Sequence, residues 1–362
     1  HGIAMTIEGP KNLTFTSFYS NTKKDASVES NDDQSAISAF QSTGMHRNDN
    51  EIAKRKVIGE KNFGGVIQYK HNALEGGVMF SQTTFEGYVQ PKALKYNQFA
   101  FHGTQNQNIG FYVNYTLRNV SLFGEAATSL RGGYAITAGM LTSLAPKFDL
   151  SILYRRFDRN YYAFYSSGFG ENSNTQNEHG LYWGWKYAFN RRYSITGYVD
   201  FFKFPWLRFR SYAPSTGYEW LLRFNYDPSR KVKIFIQARE EQKTRNIELD
   251  SIKQYTVIPG RKHNYWLSFD YTAHQMLRLK SRAQFSTYNI NGKTTNGFAI
   301  MYDLICNLGK FKLTMRYALF DTEDYDNRQY VYENDVWLAF SLPAYYGSGI
   351  RKIVVCSYKL NK

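Results

Sequence analysis

The chain has 362 residues, 30 of them Tyr and 27 Phe but only 8 Pro, and carries a formal net charge of +15. No run approaches the ~18 apolar residues of a helical span, which excludes an α-helical membrane protein. Two cysteines far apart, Cys306 and Cys356, and seven histidines without metal-ligand spacing give no support to a disulfide scaffold or a zinc module.

Ile3, Met5 and Ile7 alternate with Ala4, Thr6 and Glu8, so the chain opens in a strand, and Gly9-Pro10-Lys11-Asn12 is a tight turn. Leu13 to Val28 reads as a long strand running into a polar stretch, Glu29 to Glu60. Within that stretch Asp49 to Val57 predicts a short helix capped by Asn48 or Asp49. Phe63 to Lys70 and Leu74 to Phe85 form a hairpin about His71-Asn72-Ala73, followed by a long connection from Glu86 to Gln107. Ile109 to Leu117 pairs with Ser121 to Ser129 through Arg118-Asn119, and Ala135 to Leu144 with Phe148 to Phe157 around Pro146. A polar loop, Tyr161 to His179, precedes Leu181 to Tyr187, which turns at Asn190-Arg191-Arg192 into Tyr193 to Phe202.

The clearest alternation lies between Tyr218 and Lys243, about the turn Asp227-Pro228-Ser229-Arg230. Trp220, Leu222, Phe224 and Tyr226, then Val232, Ile234, Ile236 and Ala238, share one face, while charged and polar residues hold the other. A loop is predicted from Asn246 to Lys262. Hairpins then join Tyr265 to Tyr271 with Leu277 to Phe285, and Phe298 to Leu308 with Phe311 to Phe320, before a strand from Ile350 to Tyr358. Asp321 to Gly349 is expected as an outer loop despite strand-like content at Val336 to Leu342.

Arms of about ten residues suit tilted strands crossing a hydrocarbon core, whereas globular strands average about five or six. Short turns alternate with longer polar or aromatic connections. The fold class expected is therefore all-β: a large antiparallel up-and-down transmembrane β-barrel of about 17 to 18 visible strands, with short periplasmic turns and long extracellular loops. No linker divides the chain, so residues 1–362 are expected as a single barrel domain. Without a signal peptide at His1, and with a terminal Lys359-Leu360-Asn361-Lys362 that resembles a turn, it is expected to be truncated at both ends, with further strands in the full protein.

Four segments carry a resemblance: Asn177-Glu178-His179-Gly180-Leu181-Tyr182, Phe204-Pro205-Trp206-Leu207-Arg208, Ala213-Pro214-Ser215-Thr216-Gly217-Tyr218, and Glu333-Asn334-Asp335 with Pro343-Ala344-Tyr345-Tyr346-Gly347. With these the chain resembles the C-terminal outer-membrane β-barrel of Bacteroidota helix-hairpin-helix-containing proteins. The resemblance implies a barrel in the outer membrane of a Gram-negative bacterium. It carries over no functional residue, because the helix-hairpin-helix units linked to DNA contact are absent here.

Alternation assigns an inward-facing basic set: Arg155, Lys186, Arg223, Lys231, Lys233, Arg239, Arg278, Lys280, Arg282, Lys312 and Arg316, against the acidic Asp149, Glu219, Asp227, Asp270 and Asp303. Two readings stay open for it. The set could focus the field of an anion-favouring conduit, or its members could pair across strands and brace the interior. Phe204, Trp206, Phe209, Tyr212, Tyr345 and Tyr346 are loop aromatics that either grip a ligand or partner at the mouth or belong to the interfacial girdle.

The leading functional expectation is a transport or translocation pore with a net-basic lumen. The alternative is a structural subunit of a larger outer-membrane complex for secretion, assembly or uptake, and a rim-located enzyme ranks below both. No enzyme activity and no catalytic, metal or cofactor site is predicted; His179 near Glu178 and Asp158 is the nearest imitation. Expected partners are outer-membrane lipid and lipopolysaccharide, other outer-membrane proteins or lipoproteins, and an anionic solute or polymer, with nucleic acid left open.

Overall fold

The structure is a computed structural model that describes residues 1–31, 34–248, 255–336 and 340–360. Nineteen strands among these form one large sheet, and two more form a small one. The chain divides into two compact units. The first comprises His1–Thr142, Ser151–Tyr182 and Phe202–Thr216, and the second Ser143–Leu150, Trp183–Phe201 and Gly217–Lys362.

The first unit opens with β1 (Gly2–Glu8), β2 (Leu13–Lys24), β3 (Ala26–Asn31), β4 (Gln34–Phe40) and helix α1 (Asp49–Ala53). It continues with β5 (Ile58–His71), β6 (Leu74–Val89), β7 (Gly103–Leu117), β8 (Val120–Ser129) and most of β9 (Tyr134–Ala145). The ladder runs β1, β2, β5, β6, β7, β8, β9, antiparallel at each step. The β3–β4 hairpin rises from the end of β2, where the sequence suggested only a polar stretch, and β4 lies parallel to β6 over Ala36–Ile37. The predicted helix forms with Asn48 as its cap, the side chain accepting the Glu51 N–H at 2.9 Å.

Next come β10 (Phe148–Phe157), β11 (Glu178–Ala188) and β12 (Tyr193–Phe204), whose residues are shared between the units. The second unit holds β13 (Ser215–Ser229), β14 (Val232–Glu248), β15 (Tyr255–His274), β16 (Leu277–Ile290), β17 (Lys293–Leu308) and β18 (Phe311–Thr322). It ends with the short β19 (Gln329–Tyr330) and β20 (Ala344–Tyr345), then β21 (Ser348–Tyr358). Its ladder is antiparallel from β13 through β18 to β21.

The turns are made where the sequence puts them. Lys11 and Asn12 both adopt positive φ, as the tight β1–β2 hairpin requires, and Gly309 at φ 64° closes β17 onto β18. One expected loop is instead strand. Asn246 to Lys262 continues β14 and β15, paired as far as Glu248 opposite Tyr255, with 249–254 outside the described residues. Pro259 is tolerated there because β16 begins its pairing one residue lower, at Gly260 opposite Ile290. The missing N–H therefore faces no neighbour.

Register defines two faces. On the outer face Phe224, Ile236, Leu267, Ala283, Ile300, Leu319 and Ile350 stand in one lateral row across seven strands without a polar member. On β15 this face runs from Tyr271 through Phe269 and Leu267 to Tyr265. Immediately beyond, His263, Arg261 and Glu240 form an outward ion cluster, with Glu240 3.5 Å from Arg261 and 3.4 Å from His263. Near the turns, Tyr193 stacks on Tyr226 at 4.8 Å and Phe311 packs tilted against Tyr358 at 4.7 Å. An apolar band bounded by tyrosines, with charge returning at once outside it, is a lipid-facing surface. This is the strand architecture of an outer-membrane β-barrel protein, and it places the chain in the outer membrane of a Gram-negative bacterium.

Candidate functional site: the inner face of the second unit and its folded loop

The inner face of the second unit is built by the same registers. Lys233, Asp270, Lys280, Asp303 and Arg316 stand directly opposite one another on five successive strands, so that sign alternates along the row. Directly opposed unlike charges contribute about 0.2–1 kcal/mol each in such ladders. The geometry tightens at two points. Arg316 grips Asp303 with two bonds of 2.5 and 2.6 Å, and Arg278, one position nearer the turn, adds a bidentate contact to Asp270, one arm at 2.7 Å.

The other predicted basic residues fall into two groups. Arg239 is held by Glu219 and by Glu241, the latter at 2.9 Å, and Arg223 donates to Gln237 while its guanidinium covers Phe235 at 4.4 Å. Arg155 belongs to the first unit. Lys186, Lys231, Lys233, Lys280, Arg282 and Lys312 have no carboxylate within 4 Å among the described residues. Arg282 instead lies between the rings of Trp266 and Phe235, at 5.6 and 5.9 Å. Part of the set therefore braces the wall in close pairs, and part makes no close ion pair among the described residues.

The connection from β18 to β21 does not stand away from this face. It folds over it. Asn327 is fully buried, its amide donating to Thr295 Oγ1 at 2.7 Å, and Gln329 reaches Ser286 Oγ at 2.6 Å. Val331 and Tyr345 pack on Ala299, Met301 and Ala318 of β17 and β18. Lys262 of β15 donates to the Asp326 carbonyl at 2.6 Å, and Arg316 to that of Tyr332 at 2.6 Å. Glu333 fixes the loop to β21, taking 2.5 and 2.7 Å bonds from Arg351 and a further one from the Tyr345 hydroxyl. Within Val336 to Leu342, residues 337–339 lie outside the described residues, and Ser341 makes a single bridge to Glu333.

Burial alone would raise the Glu333 carboxyl, but the bonds from Arg351 and Tyr345 outweigh it and hold its pKa below the ordinary carboxylate value. Burial, followed by the bond to Glu333, pushes the Tyr345 hydroxyl up to about 12. A depressed carboxyl pKa stabilises the docked loop above the pKa of free Glu, and this contribution is lost as pH falls through the depressed value. Acidification is thus expected to free the segment. Limited proteolysis with an acid-active protease at residues 334–336 and 340–342 should accelerate only once pH falls below the free carboxyl's 4.5, and Glu333→Gln should be cut readily at every pH.

Of the loop aromatics, Tyr345 is buried in this contact, while Tyr346 is exposed and edge-on to Tyr325 at 5.1 Å. Phe204, Trp206, Phe209 and Tyr212 belong to the first unit. Phe204 is buried under the Arg208 guanidinium at 3.4 Å, Trp206 packs edge-on to Phe99 at 5.0 Å, and Tyr212 stacks on Tyr96. The first unit also encloses a cavity of about 530 Å³ on its inner face, walled by residues such as Phe18, Met79, Glu125 and Tyr161. At its rim Glu60 takes bonds from Tyr165 and from Asn62 at 2.7 Å, and lies 3.5 Å from Lys24.

Glu178 and His179 cannot act together. As neighbours on β11 they face opposite sides, and the Glu178 carboxylate is taken by Arg155 at 2.6 Å and by the N–H groups of Glu171 and Asn172, both at 2.9 Å. Among the described residues, no three His, Cys, Asp or Glu side chains come together in a way that could hold a metal ion. Sequence reasoning missed Glu333, Asn327, Gln329 and Arg351. Glu333, Asn327 and Gln329 read as loop composition and Arg351 as one more strand residue, because their contacts join positions distant in the chain.

No family model matches the chain, and no curated protein does. Among solved structures, the FrpB iron transporter from Neisseria meningitidis is 12% identical, covers 89% of this chain and 60% of its own, and has a TM-score of 0.48. The ferric yersiniabactin uptake receptor FyuA from Yersinia pestis is 8% identical, with 89% and 58% covered and a TM-score of 0.48. The outer-membrane OmpT of Vibrio cholerae is 9% identical, with 98% and 100% covered and a TM-score of 0.42. The chain thus spans less than two thirds of the length of the first two, and scores below 0.5 at such identities assign it neither a family nor a cargo.

Proposed function

We propose that residues 1–362 act as one outer-membrane domain forming a transport pore, whose conduit passes the basic inner face of the second unit and is narrowed by the loop pinned at Glu333. The observation that carries this reading is the excess of cations on that face that make no close ion pair among the described residues, Lys186, Lys231, Lys233, Lys280, Arg282 and Lys312. A focused positive field in a confined aqueous space favours anionic solutes or polymers. The loop's ties, Glu333 to Arg351 together with the bonds of Asn327, Gln329, Lys262 and Arg316, are what must release for it to open.

The test is conductance of the full chain in planar bilayers. Anion preference is expected, weakening as salt rises and the cations are screened. Lys280→Glu with Arg282→Glu is expected to abolish or invert it, and Lys233→Glu to reduce it while leaving insertion intact. Cation selectivity in the parent protein would overturn the proposal, as would absence of conductance even after Glu333→Gln.

A second reading, a structural subunit of a larger outer-membrane assembly, is favoured by the loop aromatics that stay bare, Phe209, Phe340 and Tyr346. It requires outer-membrane proteins or lipoproteins that stay bound through purification in mild detergent. We also infer kinship with the Bacteroidota helix-hairpin-helix barrels. Support comes from Glu333-Asn334-Asp335 and Pro343-Ala344-Tyr345-Tyr346-Gly347, two of the motifs behind that resemblance, which are the segments that pin the loop and return it to β21.

A further inference from the structure

The aromatic segment after β12 meets two other connections of the first unit around a pocket of about 230 Å³. Its walls are the rings of Tyr96, Phe99, Trp206 and Phe209, and the loop 172–177 supplies a margin of amide side chains. Three bonds fix this assembly. Trp206 N–H donates to Asn177 Oδ1 at 2.8 Å, the Asn177 amide returns a bond to the Trp206 carbonyl at 3.1 Å, and Gln176 Nε2 donates to the Phe99 carbonyl at 2.8 Å. The rings are thus held in place rather than left to collapse on one another.

At the centre is Arg159. Its guanidinium lies over Phe99 at 4.1 Å and within 5.6 Å of Trp206, so its plane is set by aromatic contact. None of its side-chain N–H groups meets an acceptor among the described residues, although it lines the pocket. A pre-oriented, accessible fork of donors is the arrangement that takes a carboxylate in two parallel bonds. The amides around it are only partly committed. Asn172 and Gln176 spend their N–H groups on backbone carbonyls, which leaves their side-chain oxygens as acceptors, and the Asn174 amide has no partner among the described residues.

The geometry points to a binding site for a sugar acid of the hexuronate class, with the carboxylate on Arg159, the apolar C–H face of the ring against Trp206 or Phe209, and hydroxyls on the amides of 172–176. Each part of the lining answers to one part of that ligand. A simple anion would leave the bare rings and amide acceptors unused, a neutral sugar would leave Arg159 unused, and an aromatic acid would leave the amides unused. The volume suits one ring rather than the larger ligands of pockets of about 300–1,000 Å³. The site lies in the first unit, apart from the basic face on which the proposed conduit rests, so either proposal can fail without the other.

The test is saturation-transfer NMR and calorimetry on the full chain in mild detergent, with galacturonate, galactose and benzoate as probes. Galacturonate is expected to bind saturably and about tenfold more tightly than either of the others. Arg159→Gln should bring galacturonate down to the level of galactose, and Trp206→Leu should weaken both sugars. Equal binding of galacturonate and galactose by the parent protein would overturn the assignment without any variant. Tighter binding of benzoate, or an Arg159→Gln protein that binds galacturonate as the parent does, would overturn it equally.

Discussion

Ile236→Arg is expected to cost about 2–4 kcal/mol of stability in the bilayer and to cut the yield of inserted protein sharply. The size follows from position. Ile236 keeps 59% of its surface exposed, in an outward row made of Phe224, Leu267, Ala283, Ile300, Leu319 and Ile350. On the neighbouring strand it faces Leu267, which lies between the boundary tyrosines Tyr265 and Tyr271. A guanidinium there has no polar neighbour in its row and is several residues from the Glu240, Arg261 and His263 cluster, so snorkelling is long. The check is the fraction of protein that keeps its fast-migrating folded form in unheated gels, across a urea series in lipid vesicles. Lys233→Arg, three residues away but inward, is the control and should leave the midpoint unchanged. Equal loss in both would show the faces to be wrongly assigned.

The second large effect is expected at Glu178. Arg155 and Glu178 are each essentially without solvent exposure, 2.6 Å apart, and Gly180 leaves the guanidinium its space because a Cβ there would collide with it. The carboxylate also gathers the N–H groups of Glu171 and Asn172, and so ties the loop before β11 to the wall. Glu178→Ala removes the counter-ion of a buried cation as well as that tie, a change that costs about 3–5 kcal/mol. Replacing both partners at once, Arg155→Met with Glu178→Leu, should cost less than Glu178→Ala alone, since the Arg155 charge leaves together with that of Glu178. The same urea series in vesicles decides it, and a double variant weaker than the single one would argue against an ion pair as the source of the loss.

The strands were legible in the sequence because lipid and water sort side chains at every second residue, and that pattern is local. Phe148–Phe157 has the ends that alternation predicts, and Lys233, Lys280 and Arg316 share one lateral row with Asp270 and Asp303. What failed to show was whatever depends on partners distant in the chain. Asn246 to Lys262 looked like loop because charge, Pro259 and Gly260 broke the apolar alternation, yet the backbone pairing of β14 with β15 continues where no lipid asks for apolar side chains. The basic set was identified, but which members are neutralised was not, since Asp270 meets Arg278 and Asp303 meets Arg316 only once the strands are in register. The inward fold of the loop was hidden for the same reason: Glu333 finds Arg351 across 18 positions.

β15 is 20 residues long, about 68 Å of extended chain at about 3.4 Å per residue, whereas crossing the hydrocarbon takes about 9–11. The upper part of the β14–β15 pairing, as far as Glu248 opposite Tyr255, therefore lies beyond the hydrocarbon. Free of the demand for apolar residues on one side, this segment can change its surface charge without touching the part that must remain in the membrane.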